Sequence, residues 1–347
     1  MRRLITLLTT TFVALFLTAG STLACGGLIG PNGAVNLLRT TTFAGYHEGV
    51  EHYVTAFEFA GGGGAFGSIT PLPDIPTTVV KGGDWTLQRL VRETTPQKRE
   101  FLLFGAASAA RDSAEVLMER KIDALDITVL KGGADQVGTW AKDHGFRLPP
   151  DAPEVLDFYA RRSPIFLAAA FDPARAAARG QEIGDGTPVH ITIPTPNPWV
   201  PLRILALGKS GQERVDADVF LLTDRKPALL PSTDTSGLQL AHSAAATDLL
   251  LSDLRSDKGM EWVPSSAWLT KVAVGAQASK LTFDLAIDAS GQEAPSRVAA
   301  GLAVPDLPAA TPADLARLVF GLAVIALGVL FIVGLTMWRP ARGTLSQ

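Results

Sequence analysis

The chain has 347 residues, of which 47% are apolar and 19% charged, and its formal net charge is −3. That apolar share excludes a disordered or low-complexity chain, and the acidic balance speaks against nucleic acid as a partner. The single cysteine, Cys25, rules out an internal disulfide, so stability has to come from a packed core.

At the N-terminus, Arg2 and Arg3 precede an uncharged stretch that is apolar from Phe12 to Leu17 and closes at Thr22-Leu23-Ala24. This is the order of a secretion signal, and residues 1–24 are read as one; an uncleaved anchor suits the short run, broken by Thr9, Thr10 and Thr11, less well. Cys25 follows directly, where a bacterial lipoprotein carries its lipid. Thr22 stands where such a signal has Leu, so Cys25 is a candidate processing or lipidation residue expected to keep a free thiol.

The next elements alternate between the two periods. Val50 to Phe59 places Tyr53, Thr55, Phe57 and Phe59 on one face and His52, Val54 and Glu58 on the other, as a strand does. After Gly61–Gly64, residues 65–70 resume an extended segment that ends in Pro71, Pro73 and Pro76. Asp84 is a predicted cap for a helix carrying Leu87, Leu90 and Val91, with its exit at Pro96. Helices are predicted over 112–120 and 151–162, the second with Asp151 as cap, Pro153 in its first turn, and Val155, Phe158 and Tyr159 inward. Between them, 122–130 reads as a strand, and Val137, Trp140, Ala141 and His144 mark a helix stopped by Gly145. Thr78-Val79-Val80-Lys81-Gly82-Gly83 and Thr128-Val129-Leu130-Lys131-Gly132-Gly133 repeat one plan, strand then Lys-Gly-Gly then helix. Free amides at such a helix start could hold an anion, although a plain turn explains the glycines equally.

From Val189 the period is two: Val189, Ile191 and Ile193; Val215, Ala217, Val219 and Leu221; Leu281, Phe283, Leu285 and Ile287. The predicted fold is therefore α+β, with a mixed helix and strand N-terminal half, a mainly antiparallel β C-terminal half, and one C-terminal transmembrane helix. Pro305, Pro308 and Pro312 make a stiff stalk. Beyond it, Arg317 and Arg339 bracket 21 uncharged residues from Leu318 to Trp338, which as a helix would measure about 31 Å against a hydrocarbon core of about 30 Å. Arg339 and Arg342 place the tail in the cytoplasm. The expected organisation is a signal at 1–24, an extracytoplasmic domain at 25–300 with a candidate subdivision near 180–185, a Pro/Ala-rich stalk at 301–317, a span at 318–338 and a tail at 339–347. Without Arg2, Arg3, Arg339 and Arg342 the exported part carries −7.

Catalytic motifs are near misses. His47-Glu48-Gly49-Val50-Glu51-His52 sets its histidines five apart rather than the four of a zinc-protease helix. On a helix or a strand that spacing separates their faces, so no metal site and no cofactor is expected. His190 is read as outward-facing, and His144, His190 and His242 have no evident partner. Neither G-x-S-x-G nor S-x-x-K occurs. Asp216 and Asp218 read as a solvated strand face.

Ala24-Cys25-Gly26-Gly27, Phe57-Glu58-Phe59, Ile69-Thr70-Pro71-Leu72-Pro73-Asp74-Ile75-Pro76, the Thr94-Thr95-Pro96 turn, Asp126-Ile127-Thr128-Val129-Leu130, Trp140 to Pro149, and Trp199-Val200-Pro201-Leu202-Arg203-Ile204 follow in order. Together they resemble the bacterial domain-of-unknown-function family 2330. The resemblance implies exported, membrane-anchored bacterial proteins, and no catalytic residue carries over from it.

The expectation is thus a single-pass protein of the bacterial cytoplasmic membrane that acts as a binding or scaffold module, with an envelope protein or a glycan as partner. The alternative is an extracytoplasmic hydrolase with a spatially assembled site, for which His47, Glu51 and His52 are the candidate catalytic residues.

Overall fold

Alternating apolar residues shape most of this protein, whose computed structural model describes residues 27–31, 33–34, 40–57, 65–95, 116–180, 187–234, 237–292 and 294–304. The predicted signal, Cys25, the glycines at 61–64, the stalk prolines and the span at 318–338 lie outside the described residues. In chain order the strands and helices begin with β1 (Gly27–Gly30), β2 (Gly33–Ala34), β3 (Thr40–His47), β4 (Val50–Phe57), β5 (Phe66–Leu72), β6 (Thr78–Lys81) and α1 (Thr86–Thr94). Next come β7 (Val116–Ile122), β8 (Leu125–Lys131), α2 (Ala134–Asp143), α3 (Ala152–Ala160), β9 (Ile165–Phe171) and α4 (Pro173–Ala178). The remainder is β10 (Thr187–Pro194), β11 (Trp199–Val200), β12 (Arg214–Thr223), β13 (Ala228–Leu230), β14 (Leu238–Ala245), α5 (Asp248–Ser256), β15 (Trp268–Gln277) and β16 (Leu285–Asp288).

The described strands form three sheets, ordered β2-β1-β5-β9-β8-β7, β14-β15-β12-β3-β4-β10-β6 and β11-β16-β13. Pairing is antiparallel except for β3 with β12, which run parallel from Thr40 opposite Ala217 to Tyr46 opposite Thr223. The inner strands of the seven-stranded sheet are buried on both faces. Ala44, Tyr53, Val219, Leu221 and Val272 join a large core shared with the six-stranded sheet. Their neighbours Phe43, Val54, Phe220, Leu222 and Leu269 face the other way, against Leu90 of α1 and Leu250, Leu251 and Leu254 of α5. Each such fully buried side chain stabilises the fold by roughly 1.5–3 kcal/mol.

The observed architecture is β-rich with a few helices: as expected, four of the five described α-helices precede residue 180 and antiparallel pairs dominate after it, but the two halves do not form separate layers. Strands from both sides of residue 180 share the seven-stranded sheet, one of its pairs is parallel, and α5 lies in the later half. The alternation is blurred where a sheet is covered twice: Tyr53 and Val54 are adjacent, and each is 1% exposed. Where a helix was predicted over 112–120, residues 116–122 are strand β7, hairpinned to β8 through Asp123 and Ala124 with Ile122 opposite Leu125. Asp123 takes the left-handed conformation this turn demands, φ 56°. The expected strand at 122–130 stands as β8, which begins at Leu125 after the turn, with Ile122 belonging to the end of β7. Leu281 and Phe283 are buried but precede β16 rather than belong to it.

Helix α3 stands as predicted, with Val155, Phe158 and Tyr159 buried. The Asp151 carboxylate, however, accepts no bond from its own helix; it takes the Gly208 N–H. Helix α2 ends as predicted, with Gly145 at φ 76° just beyond it. After α3, the guanidinium of Arg162 pairs with Asp284 and lies 4.5, 4.9 and 4.4 Å from the rings of Phe158, Tyr159 and Trp199. Asp284 is wholly buried and also accepts from Tyr159 Oη and from the N–H groups of Leu202 and Arg203.

Candidate functional site

The β3–β4 hairpin carries all three candidate catalytic residues, and its turn decides where they point. Glu48 and Gly49 both have positive φ, 49° and 81°, so two residues reverse the chain and His47 pairs directly with Val50. Directly opposed residues share a face, and so do residues two apart on a strand. His47 and His52 therefore lie on the same side of the sheet. This corrects the expectation that a five-residue spacing would separate them, because that spacing straddles the turn.

The two histidines nonetheless have different surroundings. His47 sits at the hairpin end, its Nδ1 2.7 Å from Asp224 Oδ1. His52 is buried, stacked on Trp262 at 3.8 Å between ring centres, and its Nδ1 lies 3.1 Å from His190 Nε2. His190 was expected to face outward without a partner; β10 instead turns it into this cluster, 4% exposed. Burial, and then the nearby imidazoles of His190 and His47, push His52 down to about 3. Burial pushes His190 down to about 4 against the pull of Glu261. Both rings are neutral at physiological pH. Space is tight, since a Cβ on Gly45, opposite His52, would come within 2.1 Å of the Trp262 ring.

Glu51 points the opposite way, into the core between the sheets. It is wholly buried, and among the described residues neither carboxylate oxygen has a partner at full hydrogen-bond geometry, the Trp199 backbone N–H being the donor that bears on it. Burial pushes it up to about 8, with only the Trp199 backbone N–H drawing it back. Its Oε atoms thus carry a proton at neutral pH. Tyr46, its cross-strand partner, is raised by its own burial and by the Glu51 charge, and its hydroxyl donates to the Thr195 carbonyl. Among the described residues no three His, Cys, Asp or Glu converge as metal ligands.

The repeated Lys-Gly-Gly plan is real, since β6 leads into α1 and β8 into α2. Both first glycines are held alike, Gly82 N–H donating to the Pro188 carbonyl and Gly132 N–H to that of Pro164. The helix start after Gly83 does hold an anion, and it belongs to the chain: Asp257 Oδ2 accepts from the Trp85 and Thr86 N–H groups and the Thr86 hydroxyl. Asp84, the predicted cap, has no such role; its carboxylate lies 3.7 Å from Lys81 Nζ. Asp218 likewise departs from expectation, being 6% exposed and ion-paired with Lys271 at 3.2 Å, whereas Asp216 is partly exposed and pairs with Arg214.

The Lys81 side chain leads elsewhere. β6 and β7 are the edge strands of the two large sheets, and where they meet there is an open depression of about 420 Å³. Among the described residues Val79, Val80 and Ile122 line it with apolar surface, Lys81, Arg120, Lys121 and Arg179 with cations and Asp123 with a carboxylate, and Asp84 lies beside Lys81. Lys81 is bridged to Asp123 at 2.9 Å. Arg120 and Lys121 are exposed, and neither is ion-paired among the described residues. Sequence reasoning noted only Lys81 of this group, because its members come from β6, β7 and the end of α4.

Residues 19–288 match the family described as an uncharacterized protein conserved in bacteria (DUF2330). The chain belongs to this family. No curated protein matches this family member. Among solved structures, baculovirus P35 and a mutated baculovirus P35 after caspase cleavage align with TM-scores of 0.37 and 0.41. Each is 9% identical and covers 72% of this chain, matching 96% and 99% of the viral protein respectively. A likeness of that degree carries no argument about activity.

Proposed function

We propose that the protein is a binding module displayed outside the bacterial cytoplasmic membrane, with residues 1–24 removed, a stalk around Pro305–Pro312, and a single span at 318–338. Charge asymmetry around two apolar segments supports this topology. Among the described residues no helix is long and apolar enough to cross a membrane, and the proposed span lies outside them.

The observation that carries the binding reading is the concave, cationic junction of the two sheet edges, which stands open beside β6 and β7. The titratable residues that would favour turnover are arranged otherwise: Glu51 is sealed in the core, and His52 is stacked on Trp262 on the opposite face. Binding therefore takes precedence over hydrolysis.

The test is a photo-crosslinking amino acid at Val80 of the full-length protein in intact cells, with Leu240 on the far edge strand β14 as the control position. A defined adduct, identified by mass, from Val80 and not from Leu240 is the expected result. No adduct from Val80, or the same adducts from both positions, overturns the reading.

A further inference from the structure

An edge strand offers its outward N–H and C=O groups to a further strand, and stable proteins blunt such edges by shortness, charge, proline or a covering segment. Among the described residues the sheets end in six strands. β2 and β11 have two residues each, β13 has three before Pro231, and β6 has four ending in Lys81. β7 is longer but carries Glu119, Arg120 and Lys121. β14 runs for eight residues, and from Gly237 to Ala246 there is no Asp, Glu, Lys, Arg or Pro. Gln239, Leu240 and Ala241 are exposed, Leu240 to 45%. We infer that β14 is a dimerisation edge, which pairs antiparallel with β14 of a second copy and joins two seven-stranded sheets into one. The inference is independent of the junction between β6 and β7.

Hydrogen bonding on the inner side fixes which groups are free. Gly275 N–H donates to the Gly237 carbonyl, and Ala246 N–H to that of Ala267. In an antiparallel pair, residues alternate between bonding the neighbour and facing away from it. Counting on from Gly237, Leu238 and Leu240 face away; counting back from Ala246, so do Ala245 and Ser243. The two counts meet at the bulge between Leu240 and His242, which displaces Ala241. Outside the ladder with β15, these four residues make no backbone hydrogen bond among the described residues. The free set is symmetric about His242. A two-fold axis there sets Leu238 opposite Ala245 and Leu240 opposite Ser243 of the second copy, so that all four are engaged in each chain. The absence of charge selects the occupant. A basic or acidic peptide finds no countercharge on β14, whereas two copies, each of formal net charge −3, meet with least repulsion along an edge that carries none.

The experiment is sedimentation of the full-length protein in detergent micelles over a dilution series. Wild type is expected to be a dimer that dissociates on dilution. Leu240→Lys brings like charges together beside the axis, and Leu240→Pro removes an outward N–H that serves no bond inside the sheet; each should raise the dissociation constant at least tenfold. Ile75→Lys, the same change at an exposed position between β5 and β6, should leave it unchanged. Melting temperature of each variant, measured alongside, identifies misfolding. A photo-crosslinking amino acid at Leu240 of the otherwise unaltered chain gives a second readout, an adduct of twice the chain mass that joins two copies of residues 238–245. That adduct differs from any formed at Val80, so the two readings fail separately. A monomer at every concentration, a dimer that persists in folded Leu240→Lys, or a Leu240 adduct with a different protein in place of a second copy overturns the inference.

Discussion

The carboxylate of Asp257 accepts both the backbone N–H and the hydroxyl of Thr86, at 2.8 and 2.7 Å, across 171 residues of sequence. It thereby caps α1 from the far end of α5, fastening together the two helices that cover one face of the seven-stranded sheet. Asp257→Ala leaves these buried donors unmatched, a loss of about 2–4 kcal/mol. Urea denaturation should show a lower midpoint with an unchanged slope. Gly83→Ala should come close to the same loss, because its Cβ would lie 2.1 Å from the Asp257 carboxyl carbon.

Glu51 should make the protein less stable as pH rises. Its folded value of about 8 exceeds the ordinary 4.5, so its contribution is intact below about 4.5 and is lost progressively as pH approaches 8. Over that window the loss is roughly 4–5 kcal/mol. Glu51→Gln should therefore melt later than wild type at pH 8 and differ much less at pH 5, by thermal denaturation at both.

His52 and His190 act in the opposite sense. The folded state excludes protons that the unfolded chain accepts below the ordinary 6.5, so stability is full above that pH and falls as pH drops toward 4 and then 3. Between 4.5 and 6.5 two imidazoles outweigh the one carboxyl of Glu51, and above 6.5 only Glu51 remains in this balance. These three groups together place a stability maximum near pH 6.5. His190→Gln should leave the melting temperature nearly flat between pH 4.5 and 6.5, where the one remaining imidazole balances Glu51, while the alkaline limb is unchanged, read from melting temperature against pH.

Arg162 is held by charge and by stacking at once. Arg162→Ala removes the cation from a wholly buried Asp284, with an expected cost of about 3–5 kcal/mol. Arg162→Lys keeps the charge but loses the flat guanidinium lying against Phe158, Tyr159 and Trp199, and should recover less than half of that loss in equilibrium unfolding.

Local pattern was legible in the sequence wherever one face of an element is wet or a turn has its own chemistry. Helix α2 with Gly145, helix α3 with Pro153, and both Lys-Gly-Gly junctions stand as read. Legibility failed where partners are distant. Residues 112–120 look helical alone, yet β7 is held by its hairpin with β8. His190 looked outward because nothing nearby in the chain announces Trp262 or the second layer over its face. The spacing of His47 and His52 misleads because a two-residue turn lies between them, and Gly49, the residue type that takes left-handed φ without strain, is its signal in the sequence. The basic junction was invisible in principle, as no window of sequence contains both Lys81 and Arg179.

The parallel pairing of β3 with β12 also orders events during synthesis. The ribosome delivers the β3–β4 hairpin early, but its β3 flank waits until Arg214–Thr223 emerges, and β12 in turn waits for Trp268–Gln277. The six-stranded sheet needs nothing beyond Phe171. In chain order the β3 edge and the β12 strand that covers it are therefore completed only about a hundred residues after the last strand of the six-stranded sheet, wherever the chain folds. That interval is when the hairpin is most exposed to mispairing and when a holding chaperone would have most effect.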